Sequence, residues 1–175
     1  MNGNSLDDIK RLIKICLKKL YAEDAVLFSR NEGKGLCERC IVFRLGHYLQ
    51  DAFQDYFVDC DFNSSSVRGQ QQSGKSITNA GGRTSTKRFI DIIVHTRTFD
   101  NNNDFICLEI KKWNNYDRRA FDKDVNNLKV LTTQYRYKYG FYLTLGKTVV
   151  QTKWLIFQDG EIVENETLIF KQQEV

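Results

Sequence analysis

The sequence lacks any long apolar run that would place it in a membrane. None of its hydrophobic stretches approaches the ~20 residues that a membrane-spanning helix needs. Its first ten residues, MNGNSLDDIK, also lack the basic patch and apolar stretch of a secretory signal. We therefore expect a cytoplasmic protein without a membrane partner.

Histidine and cysteine are too sparse to indicate a zinc centre. The chain has two histidines and five cysteines, an odd number that favours free thiols in a reducing compartment. Cys37 and Cys40 form a single C-x-x-C pair, but no second pair follows and neither histidine stands at ligand spacing. We interpret them as two thiols on a helix face.

Acidic residues are absent from positions 64–88. The net charge of the whole chain is +4. This segment is rich in glycine, serine and glutamine, and has too few apolar side chains to form a core, so we predict a long flexible loop. It is either a solvated insertion or an arm that binds nucleic acid phosphates. Its basic residues are Arg68, Lys75, Arg83, Lys87 and Arg88.

The same segment contains a literal match to the phosphate-binding pattern G-x-x-x-x-G-K-[ST], from Gly69 to Ser76. A working loop of this kind follows an apolar strand and leads into a helix. Here polar serines precede the match, and Gly81 and Gly82 would break any helix soon after it. A nucleotide-binding protein is therefore a minor hypothesis.

The pattern of apolar residues predicts one α/β domain over residues 1–175, in which helices flank a mixed sheet. The spacing predicts helices over 5–20, 35–53 and 117–131. Strands are predicted over 56–62, 89–95, 105–111, 139–145, 154–157 and 162–170, and the second and third of these should form an antiparallel hairpin.

Charged residues stand inside the apolar strands of this predicted hairpin. Asp91 interrupts FIDIIVH, and Glu109 and Lys111 share one face of FICLEIK. Burying such charges costs several kcal/mol unless they are paired or bind a metal, so their partners should lie close by. His95 shares the strand face of Asp91 and is a minor candidate for contact with a substrate.

A further acid lies on the apolar face of the second predicted helix. At ~100° per residue, Glu38 falls on the same stripe as Ile41, Val42 and Leu45. His47 falls on the opposite side and should face solvent. Either Glu38 escapes to solvent at the start of the helix or it joins the carboxylates of the hairpin.

This arrangement resembles the PD-(D/E)xK nuclease superfamily. Asp91 matches its first acid, Glu109-Ile110-Lys111 matches its E-x-K string, and Glu38 matches its upstream helical glutamate. Ile90 stands where the superfamily carries the proline of its name, and the chain has no proline at all. The resemblance implies a restriction-endonuclease-like core and a metal-dependent nuclease. We favour DNA over RNA as its substrate and endonucleolytic over exonucleolytic cleavage.

The resemblance also implies roles for individual residues. Asp91, Glu109 and the Ile110 carbonyl would hold Mg²⁺ or Mn²⁺, with Glu38 joining directly or through a water, and Lys111 would act on the attacking water or the phosphoryl oxygens. Phosphate contacts would come from the basic segment and from Arg118, Arg119 and Lys123. Homodimerisation is plausible. The alternative is a nucleic-acid-binding module that has the same fold but does not cut.

Overall fold

The computed structural model describes residues 5–28, 38–62, 89–97, 104–114 and 117–168. Within these ranges the chain forms three α-helices, two short 3-10 turns and six strands. The helices are α1 (Leu6–Glu23), α2 (Glu38–Ala52) and α3 (Arg118–Thr133). The strands are β1 (Phe57–Phe62), β2 (Ile90–His95), β3 (Asp104–Lys112), β4 (Tyr139–Leu145), β5 (Lys153–Gln158) and β6 (Glu161–Thr167).

All six strands belong to one mixed sheet, in the order β1-β2-β3-β4-β5-β6. Every neighbouring pair is antiparallel except β3 and β4, which are parallel. Parallel neighbours need a crossover connection, and α3 provides it. The predicted mixed sheet with flanking helices is therefore confirmed.

The two faces of the sheet carry separate apolar clusters. On one face, α1 and α2 pack against alternate strand residues such as Ile92, Leu108 and Phe141. On the other face, Leu128 and Leu131 of α3 pack against a second set of strand residues. Each side chain of β3 thus faces one helical layer or the other, which is why a charged residue in this strand must find a partner inside the protein.

The predicted β2–β3 hairpin is confirmed, with Ile93 opposite Cys107 in antiparallel register. The prediction for the last strand is wrong at its end, because β6 stops at Thr167 rather than continuing to position 170. Leu168, the next residue, is buried and donates its backbone N–H to the Thr152 carbonyl. Positions 169 and 170 lie outside the described residues.

Two sequence hypotheses concern parts of the chain that the structure does not describe. The basic segment 64–88, which contains the Gly69–Ser76 match, lies outside the described residues, and so does Cys37. Cys40 is a free, exposed thiol on α2. Among the described helices, none combines the length and the apolar character that crossing a membrane would require.

Candidate active site

Asp91 and Glu109 come together on the α3 side of the sheet because β2 and β3 are neighbours. The last paired residues of the hairpin at this end are Ile92 and Leu108, and the two acids are the next residue along each strand. The Asp91 Oδ2 atom accepts a hydrogen bond of 2.8 Å from the Ile110 N–H. Asp91 and Glu109 thus face each other as a cross-strand pair, a position in which the Cβ atoms lie ~5 Å apart.

The environment of these two carboxyl groups disfavours their charged forms. Glu109 is only 4% exposed, and burial raises its pKa well above the usual value, assisted by the charges of Asp91 and Asp124. Burial also raises the pKa of Asp91, although the Ile110 N–H and the Lys111 charge oppose this. Two adjacent buried acids of this kind are a place where a cation would relieve a large electrostatic cost.

Lys111 lies between acids that come from two different helices. Its Nζ atom is 3.4 Å from Glu38 Oε1 of α2 and 3.5 Å from Asp124 Oδ2 of α3. Burial lowers the pKa of Lys111, but the charges of Asp91, Asp124, Glu38 and Glu109 outweigh it and raise the pKa above its ordinary value. The ammonium group is therefore held in place as a cation.

Glu38 is the first residue of α2, and this position lets it reach the end of β3. Besides its ion pair with Lys111, its Oε2 atom accepts a hydrogen bond of 3.3 Å from the backbone N–H of Lys112. The prediction that Glu38 joins the acids of the hairpin agrees with this geometry. The alternative in which it merely faces solvent does not, because its side chain is only 26% exposed.

Two members of the cluster were not among the residues selected from the sequence. The Asp124 side chain is 13% exposed and forms one side of the Lys111 site. Tyr142 of β4 stands opposite Glu109 in the parallel register, and burial, followed by the charge of Asp124, raises its pKa to about 12. The sequence carried a signal for Asp124, which lies at helical spacing between Phe121 and Leu128 on the apolar stripe of α3.

The basic residues predicted on α3 lie near its exposed start. Arg118, Arg119 and Lys123 are all exposed, and Arg118 forms an ion pair with Asp122 one turn further on. They share a helix with Asp124, so they stand on the element that borders the acidic cluster. Whether they contact phosphates stays a prediction.

His95 takes a different role from the one considered for it. It is buried, and its Nε2 atom lies 2.7 Å from Asp59 Oδ2 of β1. Arg97 also donates to Asp59. The histidine therefore belongs to a polar group at the far end of β2 from Asp91. His47 is exposed, as predicted.

The residues present fit a small, hard cation. Among the described residues, no set of three His, Cys, Asp or Glu side chains forms a metal cage. Mg²⁺ rarely uses such a cage, since it is commonly bound through one or two carboxylates, while waters and substrate phosphates complete its shell. The neighbouring carboxyl groups of Asp91 and Glu109 supply that donor set.

Three comparisons with known proteins add no further information. A scan against protein-family models, a search of curated proteins and a search of solved structures each returned no match.

Proposed function

We propose that the protein is a metal-dependent nuclease that hydrolyses phosphodiester bonds, with DNA as the favoured substrate and endonucleolytic cutting as the favoured mode. The observation that carries this proposal is the cross-strand pair of Asp91 and Glu109, with Lys111 two residues after Glu109 on β3. This is the set of residue types that phosphodiester hydrolysis needs: acids for a divalent cation and a fixed positive charge beside them.

The topology around the site supports the assignment of a restriction-endonuclease-like core of the PD-(D/E)xK type. The acids come from an antiparallel hairpin, β2–β3, and α3 then crosses to β4, which lies parallel to β3. Glu38 joins from the upstream helix, as the resemblance in the sequence implies. The hairpin, the crossover and the helical glutamate lie around a single cluster of side chains.

Each residue of the cluster has a separate role in this proposal. Asp91 and Glu109, with the Ile110 carbonyl, would hold Mg²⁺ or Mn²⁺, which when bound supplies Lewis acidity and lowers the pKa of a coordinated water. Lys111 stabilises the negative charge that grows on the phosphoryl oxygens, because its paired acids keep it protonated. Glu38 and Asp124 hold the ammonium group in place through ion pairs of 3.4 and 3.5 Å.

The experiment that tests this function measures the cleavage of supercoiled plasmid, single-stranded DNA and structured RNA in Mg²⁺, Mn²⁺ or EDTA. We expect metal-dependent cleavage of at least one substrate by the wild-type protein. Asp91→Asn and Lys111→Met should each reduce the rate by about 10²–10⁴-fold, as is usual when a group that stabilises the transition state is removed.

The matched control is Lys138→Met. Lys138 is exposed and directly precedes β4, at the end of this strand that is far from Lys111, so the variant should cleave at the wild-type rate. Absence of cleavage in every substrate and metal would overturn the proposed function. Cleavage that persists in EDTA, or that is unaffected by both site variants, would also overturn it. Binding of nucleic acid without cleavage would instead support the non-catalytic binding module.

A further inference from the structure

A pocket opens directly beside the candidate active site, on the same face of the sheet. It has a volume of about 230 Å³ and lies between the start of α3 and strands β4, β5 and β6. The residues that line it and matter for its chemistry are Phe121, Tyr142, Thr144, Lys153, Leu155 and Asn165. Nothing in the proposed cleavage chemistry uses this space.

The sheet register fixes how close the pocket is to Lys111. Lys111 stands beside Thr144 on β4, and Thr144 stands beside Lys153 on β5. Neighbouring strands are ~4.8 Å apart, so the backbone of Lys153 lies roughly 10 Å from that of Lys111. Tyr142 belongs to both places, since it stands opposite Glu109 and also lines the pocket. The pocket and the cluster are therefore neighbours, with Tyr142 between them.

The lining of the pocket is suited to a flat ring with polar edges. The ring of Phe121 meets the ring of Tyr142 edge to face, with centroids 5.2 Å apart, and Leu155 continues this apolar wall. The Asn165 amide offers two N–H donors and a carbonyl oxygen that can accept two hydrogen bonds, and the Thr144 hydroxyl can both donate and accept. At about 230 Å³ the pocket is smaller than the ~300–1,000 Å³ typical of drug-sized ligands.

Lys153 adds a positive charge at the rim of the pocket. It is exposed and lies on the side of β5 that borders Thr144. A ligand with a planar aromatic body and a phosphate attached to it would satisfy the ring wall, the amide and the ammonium group together. That combination is a nucleotide, and its phosphate would extend along the sheet toward Lys111.

We propose that this pocket binds one unpaired nucleobase of the substrate strand, next to the phosphate that the proposed nuclease cleaves. The inference rests on the proposed function and specifies its substrate class: a single strand, or a duplex from which one base is extruded. A base inside an intact duplex has its faces stacked and its edges paired, so it could not enter the pocket without first leaving the helix.

The test measures the binding of short fluorescein-labelled DNA by fluorescence anisotropy, once in EDTA and once in Ca²⁺. The single strand should bind at least about tenfold more tightly than the same sequence as a blunt, fully paired duplex. A series of strands with one abasic position each should show a loss of about tenfold at one position, because base–aromatic stacking is lost there.

Two substitutions on the exposed edge strand β6 serve as a matched pair. Asn165→Phe places a large ring at the pocket lining and should abolish the loss at the abasic position, because the intact base can no longer enter. Val163→Phe adds a large ring two residues earlier on the same strand and should retain the abasic effect. Equal unfolding midpoints for the two variants would show that both are folded.

The outcomes separate this inference from the proposed function. Equal binding of single strand and duplex, or an abasic series without any position-specific loss, would overturn the pocket assignment even if metal-dependent cleavage is present. An abasic effect that persists in Asn165→Phe would overturn it as well. Position-specific binding without any cleavage would retain the pocket and reject the nuclease. Absence of both binding and cleavage would reject both.

Discussion

Lys111 lies within the charged cluster, where four carboxyl groups interact with its ammonium group. Its ammonium group contacts carboxylates from α2 and α3, although it lies on a strand between them. Two helices that pack on opposite faces of the sheet are thus joined through one side chain. Tertiary contacts with Glu38 and Asp124 therefore hold the ammonium group of Lys111 in position.

We predict that Asp124→Asn lowers the cleavage rate about 10–100-fold while leaving the affinity for DNA nearly unchanged. Asp124 contacts Lys111, which makes it a positioning residue, so its loss should affect kcat more than KM. Single-turnover and steady-state kinetics on a labelled DNA strand measure both constants.

The matched control is Asp122→Asn, which removes an exposed acid from the same helix, two residues earlier. It should leave both kinetic constants close to those of the wild-type protein. Equal effects of the two substitutions would show that Asp124 acts only through the overall charge of α3.

At the scale of elements, the position of Glu38 depends on how α2 is attached to α1. Asp24, which caps the end of α1, accepts hydrogen bonds from Arg44 Nε at 2.9 Å and from the Tyr48 hydroxyl at 2.6 Å. Both donors lie on α2, whose first residue enters the active-site cluster. This polar contact therefore fixes the helix that carries Glu38.

We predict that Asp24→Asn lowers the midpoint of thermal unfolding by about 2–4 °C at pH 7 and by less at pH 3. The hydrogen bond from Tyr48, together with Arg44 and against the effect of burial, lowers the pKa of Asp24. A lowered pKa in the folded state contributes stability above the unfolded value of ~3.9, and this stability is lost as the pH falls through the folded value. Calorimetric scans at the two pH values measure the difference.

The control is Asp51→Asn, since Asp51 forms only an exposed ion pair with Lys19 at 3.8 Å. Exposed pairs of this kind contribute little, so its midpoint should change by less than about 1 °C. If Asp24→Asn also changed the unfolding midpoint by less than about 1 °C at both pH values, this contact would not be what attaches the two helices.

The elements of the fold follow closely from the sequence, whereas the complete site does not. Strict alternation in β3 predicts that Glu109 and Lys111 share a face, and helical spacing identifies Glu38 as anomalous. Asp124 is likewise an acid on the apolar stripe of a helix. The sequence around such an acid does not indicate whether it contacts a lysine on another element. That depends on where α3 crosses the sheet, and the role of His95 likewise depends on β1 supplying Asp59.

At the scale of the whole molecule, charge is distributed unevenly. The chain has a net charge of +4, while the described cluster around Lys111 contains four carboxyl groups and one lysine. An acidic cluster repels a phosphate backbone, so attraction of a substrate needs basic residues elsewhere in the chain. The segment 64–88, which has five basic residues and no acids, is one source of them.

We predict that replacing these five basic residues by glutamine weakens DNA binding and flattens its dependence on salt. Each phosphate contact that is lost should reduce the slope of log affinity against log salt by ~0.9 for duplex or ~0.7 for single strands. Anisotropy titrations over a range of salt concentrations measure the slope. An unchanged slope would show that the segment is a solvated insertion. The replaced residues are Arg68, Lys75, Arg83, Lys87 and Arg88.

We propose that the neighbouring carboxylates of Asp91 and Glu109 bind a divalent cation, and calorimetric titration of the protein with Mn²⁺ measures this binding. We expect binding to the wild-type protein and to Glu161→Gln, which changes an exposed glutamate on β6, and at least about tenfold weaker binding to Glu109→Gln. Absence of Mn²⁺ binding by the wild-type protein, or equal affinity in Glu109→Gln, would contradict it.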